Sequence, residues 1–183
     1  MRDVQKDILN FWFVETQPQQ WFQKNPDFDA QIKGRFAADF DLAMEGVYDR
    51  WYGTPDGALA LIILLDQFPR NMFRDDARAY SGDEKALTIA RHGVAKQLDQ
   101  IVEPVKRRFF YLPFEHSENL ADQEKSVSLF EAMKEEDPLG YDYAVKHLEV
   151  IQRFGRFPHR NAVLGRDNTA DEEAYLADPN AGF

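Results

Sequence analysis

Three short segments hold most of the side chains that could do acid–base or anion-binding chemistry. The first segment, DQFPRN, directly follows an apolar run and contains Asp66, Gln67, Arg70 and Asn71. A carboxylate placed at the end of an apolar helix is costly to bury without a cation, so Arg70 or a more distant arginine is expected to pair with Asp66. Two interpretations follow: Asp66 and Arg70 line a site, or they form an ion pair that holds a turn.

The second segment, PFEHSE followed by ADQ, places several acids around one histidine. Its polar members are Glu115, His116, Glu118, Asp122 and Gln123. If Pro113 begins a helix, the three acids lie at i, i+3 and i+7 on one face, and their repulsion, if they are buried, raises at least one carboxyl pKa. Such a carboxyl group suits general-acid catalysis, and histidine titrates near neutrality. The spacing is typical of no particular metal geometry. A solvated face, or pairing with arginines, also explains the acids.

The third segment, RFGRFPHRNAVLGR at residues 153–166, contains no acid in a chain whose net charge is −10. Its candidate binding residues are Arg153, Arg156, His159, Arg160, Asn161 and Arg166. Arginine suits paired hydrogen bonding to carboxylate or phosphate. Either these arginines neutralise the acids of the first two segments inside the protein, or they hold an external anion.

A further histidine, His147, stands apart from these segments. It lies between Tyr143 and Ile151 on the apolar face of a predicted helix, so its side chain is expected to point inward. It is either a hydrogen-bonded core residue or a functional residue that binds a ligand or metal or takes part in catalysis.

The elements that must position these side chains are predicted to be helices. Asn25-Pro26 and Thr54-Pro55 are typical helix starts, and the apolar run Ala58–Leu65 predicts a central, buried helix. Capping boxes are predicted at Ser81 with Glu84 and at Thr169 with Glu172. Pro104 is expected to open a helical segment that Pro113 interrupts, and Gly155 to end the helix that contains His147.

No stretch alternates apolar and polar residues as a strand of a sheet would. The prediction is therefore an all-α fold of seven or eight helices in one domain, residues 1–183, without a linker. The absence of cysteine excludes disulfides and thiolate metal sites, and the chain contains no nucleotide-binding, zinc-protease or serine-hydrolase motif. No metal or other cofactor is predicted.

Charge and hydrophobicity also predict where the protein acts. The net charge of −10 disfavours nucleic acid as a partner, because phosphates bind lysine and arginine. Asp3 and Asp7 stand where a signal peptide needs a basic start, and the apolar run at residues 58–65 is far shorter than the roughly 20 residues of a membrane helix. The chain is therefore expected to be soluble and cytoplasmic, with no membrane partner.

The motifs LLDQFPRN, PFEHSE with ADQ, and RFGRFPHRN with LGR resemble the signatures of a widespread, mainly bacterial family of unknown function. The opening ILNFWF and the segment around Glu172 also match, so the resemblance covers essentially the whole chain. Members of that family are similar to tetratricopeptide-repeat-like folds, which implies antiparallel helix pairs in a right-handed arrangement. The resemblance supplies no catalytic residues.

Two functions fit these observations. The first is a binding module that holds a carboxylate- or phosphate-bearing ligand or peptide segment through arginines and histidines facing buried acids. The second is a small-molecule hydrolase or other acid–base enzyme, with or without a metal, that uses Glu115, His116, Glu118 and His159. We favour the binding module because folds built of helix pairs more often bind than catalyse, which is an argument from fold alone. The sequence does not specify an oligomeric state.

Overall fold

The structure, a computed structural model, describes residues 2–178, and these residues form helices without any strand. The helices are α1 (Val4–Asn10), α2 (Pro26–Met44), α3 (Pro55–Ile62), α4 (Phe68–Met72), α5 (Asp83–Ala95), α6 (Pro104–Glu115), α7 (Leu120–Glu131), α8 (Pro138–Phe154) and α9 (Ala170–Leu176). A wide π turn at Ile63–Gln67 joins α3 to α4 as one continuous helix. Counted in this way, residues 2–178 form eight helices, which confirms the all-α prediction.

The parts of that prediction that concern arrangement and extent have different outcomes. The right-handed, tetratricopeptide-like arrangement stays a prediction. Residue 1 and residues 179–183, which the predicted domain includes, lie outside the described part of the chain. None of the described helices is long and apolar enough to cross a membrane.

The helix starts show which local signals are reliable. The side chain of Asn25 accepts hydrogen bonds from the first amides of α2, and Thr54 accepts one from Gly57 at the start of α3. The predicted capping box of Thr169 and Glu172 is confirmed at α9. The capping box predicted at Ser81 is wrong, because Ser81 donates its hydroxyl hydrogen bond backwards to the carbonyl of Arg78 and α5 begins later, at Asp83.

The core surrounds α3. Every residue from Ala58 to Leu65 is fully buried, and α3 packs against α1, α5 and α6, which confirms the predicted central helix. Aromatic side chains fill the space beside it, where Trp12 meets Phe68 and Phe109 edge to face. The chemistry-bearing DQFPRN segment therefore continues directly from the most buried helix in the described part of the protein.

Helix α6 differs from the expectation based on its second proline. Pro113 lies inside α6, neither interrupting nor starting a helix, and α6 continues to Glu115. The α6–α7 junction is held by Gln123, whose side-chain amide donates to the backbone carbonyls of Glu115 and Ser117 at 2.6 Å each. Glu115 therefore ends one helix and Asp122 lies in the next, so the predicted single acidic face is wrong.

The C-terminal part of the chain is held by a second, smaller apolar cluster. Its buried members are Val150, Ile151 and Phe157, with Phe154 and Tyr175 packed against them. Gly155 ends α8 with the positive φ of 68°, a left-handed conformation that favours glycine, as predicted. This turn directs the basic segment, residues 156–166, back towards the junction between α6 and α7.

Candidate functional site

The fully buried Asp66 lies at the centre of the site. It belongs to the π turn between α3 and α4, so the expectation that it follows the end of a helix is wrong. Its Oδ1 is 2.7 Å from Nδ1 of His116, and its Oδ2 accepts a hydrogen bond of 2.6 Å from the Gln67 amide. Burial alone would raise the pKa of Asp66, but His116, and then Arg70, lower it below its usual value.

The expected Asp66–Arg70 pair forms only at long range. Nη2 of Arg70 is 3.8 Å from Asp66 Oδ1 but 2.8 Å from Oδ2 of Asp83, at the start of α5. A second guanidinium approaches the same Asp83 oxygen, with Nη1 of Arg160 at 3.6 Å. Two cations from distant segments therefore converge on one carboxylate, and the guanidinium carbons lie 4.6 Å and 4.7 Å from the centre of the Tyr80 ring.

Arg160 is unusual because its charge is buried and only partly paired. The residue is 7% exposed, and its Nε has no hydrogen-bond partner among residues 2–178. Burial and the nearby charge of Arg70 lower its pKa to about 10. Since buried charges are costly unless they are fully paired, the position of this guanidinium needs a physical explanation.

A second buried pair, Glu115 and His147, lies behind His116. Oε1 of Glu115 is 3.3 Å from Nδ1 of His147, while the same nitrogen is 2.8 Å from the carbonyl of Tyr143. Burial raises the pKa of Glu115 to about 8, although Arg108 opposes the shift, and burial lowers the pKa of His147 to about 3. Both side chains are therefore neutral at neutral pH, and His147 points inward as predicted.

Two histidines, His147 and His159, pack against Phe157 at the edge of this region, and a third, His116, lies beside His147. The rings of His116 and His147 are 6.3 Å apart, and Phe157 lies 5.5 Å from His147 and 5.7 Å from His159. His159 is partly exposed to solvent. Burial of its ring by the surrounding protein, followed by the charges of Arg160 and Arg70, lowers its pKa. We call Arg70, His116, His159 and Arg160 the arginine–histidine cluster.

The basic segment also neutralises an acid inside the protein. Arg166 donates two hydrogen bonds to Glu118, at 2.7 Å and 2.9 Å, and the amide of Phe157 donates a third at 2.8 Å. Burial raises the pKa of Glu118, but Arg166 and the Phe157 amide more than offset this and lower it. Both Glu118 oxygens are thereby engaged in fastening the basic segment to the α6–α7 junction.

Other residues from the three motifs lie outside the arginine–histidine cluster. Each has its own nearby partner: Arg153 pairs with Asp171, Arg156 with Glu172, Asn71 with Asp29, Asp122 with Arg91 and Ser117, and Asn161 with Arg166 and Asn168. Gln67 touches Asp66, and Gln123 holds the end of α6. The structure thus brings together only part of the residue set that the sequence suggested.

The chain matches a family profile described as a bacterial protein of unknown function (DUF924) over residues 8–180. The chain belongs to this family. It is similar to a solved structure described as a protein of unknown function, ATU0120, from Agrobacterium tumefaciens, with 38% identity and a TM-score of 0.90 over 95% of this chain and 97% of that one. No curated protein matches the chain significantly.

In this member of the family, residues 2–178 contain no group of three or more acidic or histidine side chains placed to hold a metal ion. Two surface cavities, of about 380 and 480 Å³, lie elsewhere, along α1 and the first turn of α6. The arginine–histidine cluster lies outside both cavities and reaches the surface through partly exposed side chains.

Sequence reasoning missed Asp83 and Tyr80, which the two arginines share. Asp83 is the first residue of α5, where a carboxylate is ordinary because it interacts favourably with the positive end of the helix dipole. No local signal separates this Asp83 from a simple helix-start residue, since its arginine partners come from α4 and from residue 160.

Proposed function

We propose that this protein binds a small carboxylate- or phosphate-bearing anion at the arginine–histidine cluster. The observation that carries the proposal is the convergence of Arg70 and Arg160 on the single carboxylate of Asp83. One carboxylate neutralises only one of these guanidinium groups. Of the other acids nearby, Asp66 is closest to His116 and Glu118 pairs with Arg166. Arg160 therefore has hydrogen-bond donors without an acceptor, and an anion would engage them.

The burial of Arg160 supports the same proposal. A buried guanidinium normally has all of its donors engaged, whereas Nε of Arg160 has no acceptor within residues 2–178. A bound carboxylate or phosphate would supply this acceptor. Arginine is suited to the task because its planar donors match two oxygens at once.

Access from solvent is available from one side of the cluster. The side chains of Arg70 and His116 are 24% and 17% exposed, and His159 has an exposed surface. Tyr80 stacks against both guanidinium groups and would keep them in place when the anion leaves. A small anion, or the carboxylate of a peptide segment, suits these partly exposed side chains better than an extended polyanion, which the net charge of −10 would repel.

Acid–base catalysis is a second candidate function, and the Asp66–His116 pair favours it. A buried carboxylate that orients a partly exposed histidine is the arrangement in which histidine acts as a general base. Glu115, neutral and buried beside His147, would hold a proton at neutral pH. Glu118 is poorly suited to catalysis because Arg166 and the Phe157 amide occupy both of its oxygens.

The experiment is a thermal unfolding titration with phosphate and with acetate. At a concentration a hundredfold above Kd, binding adds about 2.7 kcal/mol of stability, which raises the Tm of a chain of this size by roughly 5–10 °C. The Arg160→Met variant should fold but lose this anion-dependent rise. The matched control is Arg153→Met, whose arginine pairs at the surface with Asp171 and should leave the rise intact.

Two results would contradict the proposal. In the first, Arg160→Met retains the full anion-dependent rise in Tm, so that the arginine takes no part in binding. In the second, Arg160→Met does not fold, which would mean that Arg160 neutralises acids inside the protein, such as the partly buried Asp83, instead of an external anion.

A further inference from the structure

We infer that the anion bound at the arginine–histidine cluster also carries a hydroxyl group, as hydrogen phosphate or a 2-hydroxy carboxylate does. This hydroxyl group donates a hydrogen bond to Nε2 of His116. This inference rests on the anion binding proposed above and names the ligand class. Arg70 and Arg160 can only donate hydrogen bonds, whereas His116 presents an acceptor. A ligand that satisfies all three must accept hydrogen bonds and donate one.

The proton of a neutral His116 ring is fixed on Nδ1 by Asp66. An ionised carboxylate only accepts hydrogen bonds, and its Oδ1 lies 2.7 Å from Nδ1 of His116. The other oxygen of Asp66 accepts a hydrogen bond of 2.6 Å from the Gln67 amide, so both oxygens of this carboxylate act as acceptors. A neutral imidazole with its proton on Nδ1 has a free lone pair on Nε2.

Nε2 of His116 is available to a ligand. It makes no hydrogen bond within residues 2–178, and the His116 side chain is 17% exposed. The neutral ring of His147 lies on the inner side, with ring centres 6.3 Å apart.

The inference predicts discrimination between ligands of equal charge and similar size. Hydrogen phosphate and sulfate are nearly the same size, but only hydrogen phosphate can donate to Nε2. Glycolate and acetate differ in the same way, since only glycolate has a hydroxyl group. Leaving a desolvated acceptor unpaired weakens binding by roughly tenfold to a hundredfold. Phosphate should therefore bind more tightly than sulfate, and glycolate more tightly than acetate, by about this factor.

The experiment is isothermal titration of the full chain with these four anions at slightly alkaline pH. In each pair, phosphate with sulfate and glycolate with acetate, the quantity compared is the ratio of the two dissociation constants. The pair with the larger ratio shows whether the natural ligand is a phosphate or a hydroxy carboxylate. Asp66→Asn should shrink the ratio, since an asparagine amide can donate to Nδ1 and move the ring proton to Nε2. Asp99→Asn is the matched control, because Asp99 is another buried aspartate, bonded to Tyr111 and remote from the cluster.

The outcomes separate this inference from the proposed function. If all four anions bind and the members of each pair bind equally, the inference is wrong and anion binding stands. If none of them binds, the proposed function fails. Should Asp66→Asn not fold, nitrogen NMR of the His116 ring in the wild-type chain decides: a proton on Nδ1 supports the inference, and a proton on Nε2 overturns it.

Discussion

Replacing Glu115 with glutamine should stabilise the protein at neutral and alkaline pH. Glu115 is buried at the end of α6, and burial raises its pKa from 4.5 to about 8. The unfolded chain therefore releases this proton at a lower pH than the folded protein does. Since the unfolded state binds fewer protons between these two values, the free energy of unfolding falls as pH rises through this window. Glutamine stays neutral and avoids that loss.

The size of the effect follows from the difference between the two pKa values. One pKa unit corresponds to about 1.4 kcal/mol, so the stability difference between Glu115→Gln and wild type should grow by about 3 kcal/mol from pH 4.5 to pH 7. Above pH 8 it should level off at about 5 kcal/mol. The difference between the two proteins is the quantity of interest, because most other titrating groups contribute equally to both.

The assay is urea unfolding, followed by tryptophan fluorescence, at a series of pH values. The matched control is Glu118→Gln, because Arg166 and the Phe157 amide lower the pKa of Glu118. At pH values above the usual carboxyl pKa, Glu118→Gln should lower the free energy of unfolding, whereas Glu115→Gln should raise it. A stability difference between Glu115→Gln and wild type that stays flat from pH 4.5 to pH 8 would show that the folded protein ionises Glu115 normally.

Two further predictions concern local backbone structure, and urea unfolding measures both. Asn25→Ala should cost about 1 kcal/mol, because two amides at the start of α2 lose their acceptor, and an unchanged unfolding midpoint would refute this capping role. Gly155→Ala should also cost about 1–2 kcal/mol, because the φ of 68° strains any residue with a Cβ although nothing lies within 4 Å of it. Its control, Gly34→Ala in the middle of α2, has the same free space without the positive φ and should add stability.

The features that the sequence predicted well are those that depend on neighbouring residues. Asn25 and Thr54 start helices because their side chains reach amides two or three residues away. Gly155 ends α8 because glycine alone readily adopts the left-handed backbone. The run Ala58–Leu65 has no polar face to expose, so its burial follows from composition.

The candidate site was harder to predict because its contacts join distant segments. The acids of PFEHSE and ADQ were expected on one helix face, yet α6 ends at Glu115 and α7 starts only at Leu120. Helical spacing does not apply across that junction, and the acids enter different surroundings. Asp83 shows the same limit, since nothing near it in the chain indicates that two arginines approach it.

The π turn at Ile63–Gln67 ties the chemistry of this protein to the exact length of one helix. Such a turn holds one residue more than a regular helical turn. Deleting one residue here would return this stretch to a regular helical turn and leave Phe68 on the buried side of the helix, while Asp66 would be lost or displaced. A lineage could therefore discard the buried aspartate by substitution or by a one-codon deletion in this turn, and it would keep its architecture either way.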